Sequence, residues 1–598
     1  MSNATIESQD TMAQEADAMR TLSEWVDRCQ AALESRNAEA VADLFTDECT
    51  VRDLLALSWD FRNAIGRDEV IALLTSPETT PLAMLVVRAE GTVVQEVQDG
   101  ADTLAGFLDF KTDTGAGEGY VQLTRSEDGI WRGTTLLLSL SSLDSHPEQA
   151  NDNRPPGRIH GPMLNRQERL KANFEDEDPV ALVIGAGHNG LMIAARLQAM
   201  GVPTLVVETH DRVGDTWRKR YSSLALHTPL AADQLPYLPF PATWTRFTPK
   251  DKLGDFLESY ATLLDLNVWT GSTVENVTFD EDTAHWSLDV VRADGTRRSM
   301  QPHHLVFATG MNGAPNVPDL PGRDEFQGEV LHAVEYQGPA AWAGKKVVVV
   351  GTGVSGHDIA QDLAEQGVDV TMIQRSGTAV LNASTFHEVM HAVHTGGHYS
   401  LEEGDLVNAA LPFGHLPSLG AGQLAEANAK DRDILDRLTK VGFELSSGPN
   451  GTGVLGLIFG SNATGYYYNA GASELIADGT IKLRHGGVVR FTPTEVVLDN
   501  GTEIGADVVV FATGYEPPTA IARQVLGDEV ADQLGEFAHV SDDREYGRLW
   551  RHSGFDGLWF MIALSIEHGR FYSRHLALQI AAIEAGTVTA KELSGKSA

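Results

Sequence analysis

The spacing of hydrophobic residues changes along the chain. From about Thr21, apolar residues fall at three- and four-residue steps (Leu22, Trp25, Val26, Cys29, Ala32, Leu33). That is one face of an amphipathic helix. A short helix is expected over Ala38–Phe45, then strands over Ala83–Ala89, Thr103–Lys111, Gly119–Ser126 and Trp131–Ser139. Helices followed by antiparallel strands suggest an α+β cone or sandwich over residues 16–145. Residues 1–15 are polar and expected to fray. Residues 146–178 are rich in Pro, Asn and charge, with a helix-like charged piece in the middle, and read as a linker.

From Pro179 the pattern becomes short apolar strand, glycine turn, helix, strand, and it restarts at Lys345. The first unit runs Val180–Ile184, then Gly185-Ala186-Gly187-His188-Asn189-Gly190, a helix, and strand Thr204–Val207 ending in Glu208. Here Gly185 permits the turn, Gly187 admits a pyrophosphate to the backbone, Gly190 lets helix and strand approach, and Glu208 accepts from ribose hydroxyls. Trp217, in Gly-Asp-Thr-Trp, is placed to wall a flavin ring, or to pack in a core.

The second unit runs Lys346–Val350, Gly351-Thr352-Gly353-Val354-Ser355-Gly356, helix Asp358–Gln366 and strand Val368–Ile373, ending in Gln374-Arg375-Ser376. Arg375 and Ser376 in place of an acid suit the 2′-phosphate of NADPH. The tetrapeptide Phe-Ala-Thr-Gly ends two further apolar strands, at Thr309-Gly310 and at Thr513-Gly514-Tyr515. Near the C-terminus, Glu567–Ser573 opens a helix whose Arg570 and Phe571 are placed to face a flavin.

The expected fold class is therefore α/β, with two dinucleotide-binding Rossmann-type domains. Residues 179–344 and 507–598 would bind FAD, and residues 345–506 NADPH.

Composition narrows the function. The net charge of −38 disfavours nucleic acid and anionic lipid as partners. The longest apolar runs fall short of a membrane span, and the N-terminus carries no signal-peptide pattern, so a cytoplasmic location is expected. Cys29 and Cys49 are the two cysteines, both in the N-terminal unit. Their position argues against a dithiol beside a flavin, as in a pyridine nucleotide–disulfide reductase, which stays a rival reading. No metal site is read.

GAGHNG, GDTW, FATG-MNGAPNVP, GTGVSG and FATGY together resemble the class B flavoprotein monooxygenases over about 180–598. Phe326-x-Gly328-x-x-x-His332-x-x-x-Tyr336 matches the fingerprint of the flavin-containing monooxygenases. Segments 221–229 and 235–241 look most like the YUCCA-type indole-3-pyruvate monooxygenases.

The resemblance implies that NADPH reduces FAD, that reduced flavin and O2 form a C4a-(hydro)peroxyflavin, and that a small organic substrate is oxygenated. N/S oxygenation and oxidative decarboxylation of a 2-oxo acid both stay open. His227, where related enzymes carry Asn, is the implied catalytic hydrogen-bond donor. Baeyer–Villiger enzymes carry Arg and Asp where this chain has Ala225 and His227, which argues against ketone insertion as the alternative. A flavin redox sensor with an N-terminal partner-binding module is the alternative of another class. The N-terminal unit resembles the NTF2-like (SnoaL-like) cone domains, which bind ligands, catalyse or dimerise, so a homodimer stays open. Asp53, Trp59 and Asp60 are its candidate pocket residues. The unit is expected to be separable from the flavin chemistry.

Overall fold

In the computed structural model, the structure describes residues 3–98, 100–156, 173–280, 283, 285–312, 314–460 and 464–593. A helix covers Asn3–Ser35, so the segment expected to fray from residue 3 onward is helical backbone. Helices Ala38–Leu44 and Arg67–Thr75 follow. They pack on a seven-stranded sheet in the order Phe61–Ile65, Phe45–Leu54, Trp131–Leu143, Gly115–Arg125, Ala101–Lys111, Met84–Val87, with Val94–Gln98 also on Ala101–Lys111.

Three of these strands, Phe45–Leu54, Phe61–Ile65 and Val94–Gln98, were not expected, and Phe45–Leu54 pairs with Trp131–Leu143 in parallel. Their composition explains this. Phe45–Leu54 carries Asp, Glu and Arg, and its inner half is buried on both faces, so no alternation marks it. Val51, Leu136 and Leu138 face the helices with Leu22 and Trp25. Leu54, Leu137 and Leu140 face the rest of the chain, in one core with Tyr572 and Leu576 of helix Ile566–Glu584.

That second face makes the N-terminal unit an integral layer. Arg52, fully buried, forms a bidentate pair with Glu545 (2.8 and 2.6 Å) and also donates to the Ala409 carbonyl (2.7 Å) and Tyr572 hydroxyl (3.0 Å). Ser139 bonds His575 at 2.8 Å, Glu118 pairs with Arg574, and the Glu403 carboxylate accepts from Thr92. The expected separability is corrected: inter-domain contacts that are mobile by default are small and polar, whereas this one is apolar and pinned by buried charge. Asp53 is held by Ala56 N–H, Leu57 N–H and the Ser58 hydroxyl, and Asp60 faces Arg551. Those two carboxylates serve a turn and this contact.

Of the connecting stretch, residues 157–172 lie outside the described residues, and the helix-like piece expected there with them. The described part is tied to the first dinucleotide unit by Arg196–Glu148 and by Gln149 N–H to the Ala199 carbonyl.

Two five-stranded sheets follow. The first has the order Val268–Trp269, Thr204–Val207, Ala181–Ile184, His304–Phe307, Leu558–Phe560, and its described pairs are parallel. The second has the order Glu329–His332, Val508–Phe511, Lys346–Val350, Asp369–Gln374, Lys482–His485, again parallel. Strands 329–332 and 508–511 thus belong to the second sheet, although the expected boundaries gave both to the FAD unit. The return to the first sheet comes at Leu558–Phe560. Similar FATG ends made the two return strands indistinguishable by sequence, and pairing decides between them.

Each unit carries a small three-stranded antiparallel sheet before its FATG strand: Thr273–Asp280, His285–Val291 and Arg297–Met300 in the first, Val488–Phe491, Glu495–Leu498 and Glu503–Gly505 in the second. A helical insert, Ala383–Met390 to Gly453–Gly460, separates strands Ala379–Asn382 and Tyr466–Asn469 in the second unit. Among the described residues, no helix is long and apolar enough to cross a membrane.

Candidate active site

The two glycine turns have the same construction. Gly185 has φ +103° and Gly351 φ +115°, a region that favours glycine. A Cβ on Gly185 would stand 2.8 Å from the Ala308 carbonyl oxygen, and one on Gly351 2.5 Å from that of Ala512. So each FATG strand end closes onto its own glycine turn. Gly190 and Gly356 lie against the turns: a Cβ would meet the Gly185 oxygen at 1.9 Å or the Gly351 oxygen at 2.2 Å.

The middle glycines are different. A Cβ on Gly187 or Gly353 would meet nothing within 4 Å. Both cap their helices, His188–Ala199 and Val354–Glu365, without a side-chain acceptor. The second helix starts four residues before the expected Asp358, because Ser355 and Gly356 are already in it. Each turn therefore presents open space and uncapped N–H groups at a helix N-terminus, the arrangement that accepts a dinucleotide pyrophosphate. The residues fit two dinucleotides.

Glu208 is buried at the first turn. Its Oε2 accepts from Ala186 N–H at 2.7 Å and its Oε1 from His210 N–H at 2.8 Å. Trp217 lies across from His188, ring centroids 6.1 Å apart, and its buried Nε1 has no partner. Burial pushes His188 down to about 4 and His357, stacked on Tyr467 at 3.9 Å, also to about 4. Both turns thus rest on neutral imidazoles. At the second turn, Arg375 and Ser376 are exposed, and Arg375 forms no ion pair among the described residues.

The fingerprint residues are anchored within the second unit. Phe326 packs on Phe491, His332 Nε2 bonds the Gly514 carbonyl at 3.0 Å, and the Tyr336 hydroxyl donates to Asp362 at 2.8 Å. Tyr515 receives Arg220 on its hydroxyl at 2.9 Å, and Thr513 donates to the Asn316 carbonyl at 2.5 Å. Thr309 and Gly310 are half-buried at the matching place in the first unit.

His227 lies between the units. Its Nε2 is 3.7 Å from Asp358 Oδ1 on the second-turn helix, and its carbonyl accepts from His387 Nε2 at 2.8 Å. Tyr221 donates to the same Asp358 at 2.7 Å. Burial raises Asp358, while His227 and the Tyr221 hydrogen bond pull it back. Asp358, Tyr221 and His387 were missed by the sequence reading. Asp358 and His387 lie in helices where their spacing matches ordinary surface positions, and only the fold brings them to His227.

Two expected cofactor contacts are corrected. Arg570 is buried, doubly paired with Asp405 (2.8 and 2.5 Å), and donates to the Ala232 and Gln234 carbonyls. Its guanidinium joins the helical insert to the C-terminal helix. Phe571 is buried against Tyr572 and His575.

This architecture, two parallel sheets each with a glycine turn and joined by a short linker, defines a two-dinucleotide flavoprotein. Residues 182–393 match the family model described as pyridine nucleotide-disulphide oxidoreductase. That segment holds no cysteine. The chain is 35% identical over 343 residues to indole-3-pyruvate monooxygenase YUCCA1 of Oryza sativa subsp. japonica, covering 56% of this chain and 77% of the relative. It is 33% identical to the probable indole-3-pyruvate monooxygenase YUCCA8 of Arabidopsis thaliana, covering 56% and 74%. Among solved structures, OTEMO in complex with FAD and NADP aligns with TM-score 0.51 at 18% identity, over 69% of this chain and 87% of that one, a likeness of fold. The chain belongs to the class B flavin monooxygenases. It is an FAD-dependent NADPH monooxygenase of the kind that includes the YUCCA enzymes.

Proposed function

We propose that the first glycine turn holds FAD, through Gly185, Gly187, Gly190 and Glu208, with Trp217 and Thr309 beside it. In this reading the second turn holds NADPH through Gly351, Gly353, Ser355 and Gly356. Arg375 and Ser376 take its 2′-phosphate, and Thr513, Gly514 and Tyr515 close the site. The carrying observation is the doubled turn, open over Gly187 and Gly353 and closed everywhere else by backbone contact. Bound there, the two cofactors supply reduction of O2 and delivery of one oxygen atom.

The substrate we infer is a small 2-oxo acid with an aromatic side chain, on the strength of relatives named for indole-3-pyruvate. Oxygen enters the keto carbon, the bond to the carboxylate breaks, and the products are CO2 and the acid one carbon shorter. NADPH supplies two electrons, and the second oxygen atom leaves as water. His227 donates a hydrogen bond during oxygen transfer, and Asp358 orients its ring. The closed N-terminal layer keeps bulk water from the C-terminal helix. The enzyme acts in the cytoplasm in this reading.

The test is NADPH oxidation with indole-3-pyruvate, phenylpyruvate and a sulfide as substrates. Consumption with release of CO2 from the 2-oxo acids supports the proposal. Turnover of the sulfide alone would contradict it.

A further inference from the structure

The helical insert and the first turn of the C-terminal helix enclose a cluster of two histidines and a carboxylate that the proposed oxygen transfer does not use. His391 caps the short helix Ala392–Thr395 and His394 lies within it, three residues on and so on one side of the turn. Glu567 opens helix Ile566–Glu584. His391 Nδ1 is 3.6 Å from Glu567 Oε2, and His394 Nδ1 is 3.8 Å from Glu567 Oε1. The three residues offer ligand atoms that all lie within 4.8 Å of one another. Separations of this size are too long for hydrogen bonds. They approach the roughly 3.3–3.6 Å between neighbouring ligands around a tetrahedral ion bound at about 2.0–2.2 Å.

The surroundings fit the same ion. His394 places its other nitrogen, Nε2, against Asp405 at 3.1 Å, so Nδ1 carries the lone pair, with Asn408 Nδ2 at 3.4 Å as the neighbour an ion would displace. A carboxylate behind a histidine is the arrangement that orients a metal ligand. Asp405 is fixed in turn by Arg570. Asn408 donates to Glu567 Oε1 at 2.6 Å and leaves Oε2 free for an ion. The Nδ1 of His391 is buried and has no hydrogen-bond partner.

The charges point the same way. Arg570 is matched by Asp405, and Arg52 by Glu545. Among the described residues, Glu567 pairs with no lysine or arginine, its partners in ion-pair range being His391 and His394. Buried carboxylates are paired with cations or bind metal.

We propose that His391, His394 and Glu567 bind one divalent transition-metal ion of the zinc class. Two imidazoles and a carboxylate, without thiolate, suit zinc, cobalt or ferrous iron rather than calcium or magnesium. The ion ties the helical insert to the C-terminal helix as a structural link.

The experiment strips purified flavin-loaded enzyme with a chelator, reloads it with zinc sulfate or cobalt chloride, and removes excess by gel filtration. Mass spectrometry should find one zinc per chain, and zinc should raise the unfolding midpoint. The cobalt form should absorb between about 500 and 650 nm, to the red of the flavin bands. His391→Ala and His394→Ala should lose stoichiometric metal while keeping flavin. Should either misfold, the wild-type protein still decides. Less than a tenth of an equivalent retained, no zinc-dependent stabilisation, or equal retention by the flavin-loaded variants would each overturn the proposal.

Discussion

Replacing Arg52 with methionine should uncouple the N-terminal layer from the flavin-binding part. The guanidinium makes two bonds to Glu545, at 2.8 and 2.6 Å, and its Nη1 serves the Ala409 carbonyl and Tyr572. Both charged side chains are 1% exposed. Methionine fills much of the volume but strands the Glu545 carboxylate with Asn63 Nδ2, at 2.9 Å, as its remaining side-chain donor across the contact. Breaking a buried pair from one side costs about 3–5 kcal/mol. That lowers the equilibrium constant for the docked state roughly 150- to 4,000-fold, at a factor of ten per about 1.4 kcal/mol.

Urea titration of the flavin-loaded protein reads this, with tryptophan and flavin fluorescence followed together. The double variant Arg52→Met/Glu545→Leu should recover most of the loss, because an apolar pair of similar volume replaces buried ion pairs at little or no cost. A loss below about 1 kcal/mol for Arg52→Met, or strict additivity of the two single variants, would refute the reasoning.

Gly187→Val should fold, since a Cβ there meets nothing, yet purify colourless; full flavin occupancy would be inconsistent with FAD at that turn. Arg375→Ala should cut NADPH use about 10- to 150-fold, through loss of roughly 1.5–3 kcal/mol of charge-assisted bonding, with NADH use unchanged. An unaltered preference in steady-state kcat/KM would count against it. His227→Leu should leave anaerobic reduction by NADPH intact and divert oxygen to hydrogen peroxide, measured with a peroxidase-coupled dye; slower reduction with coupling preserved would reassign the residue. His357 is held near 4, below its ordinary 6.5, so the unfolded chain binds its proton first as pH falls. Its contribution is complete above about pH 6.5 and is lost toward pH 4, by about 3 kcal/mol in all. His357→Gln should flatten that part of the profile, and parallel profiles for variant and wild type would contradict the assignment.

The glycine turns were legible because their chemistry is local. Strand, turn, helix and second strand follow within 30 residues in each unit, and Gly185 and Gly351 do adopt the conformation that their residue type permits. The linker fingerprint at 326–336 was legible only as a match to a family pattern. What escaped depends on contacts distant in sequence. Arg52 looks like an ordinary strand charge until Glu545, 493 positions away, meets it. Arg570 sits in a helix first turn beside Gly569, as a phosphate-binding residue would, and Asp405 from the insert claims it. His227 was singled out by its position in the family pattern, whereas Asp358 and His387 gave no local signal. The strand Phe45–Leu54 was missed because burial on both faces erases alternation.

The central claim is tested most directly by a single turnover of NADPH-reduced enzyme with labelled oxygen, 18O2, and indole-3-pyruvate. The account predicts one labelled atom in the carboxylic acid product, one CO2, and one NADPH consumed for each. NADPH consumed with hydrogen peroxide as the sole oxygen product, for this and other aromatic 2-oxo acids, would contradict it.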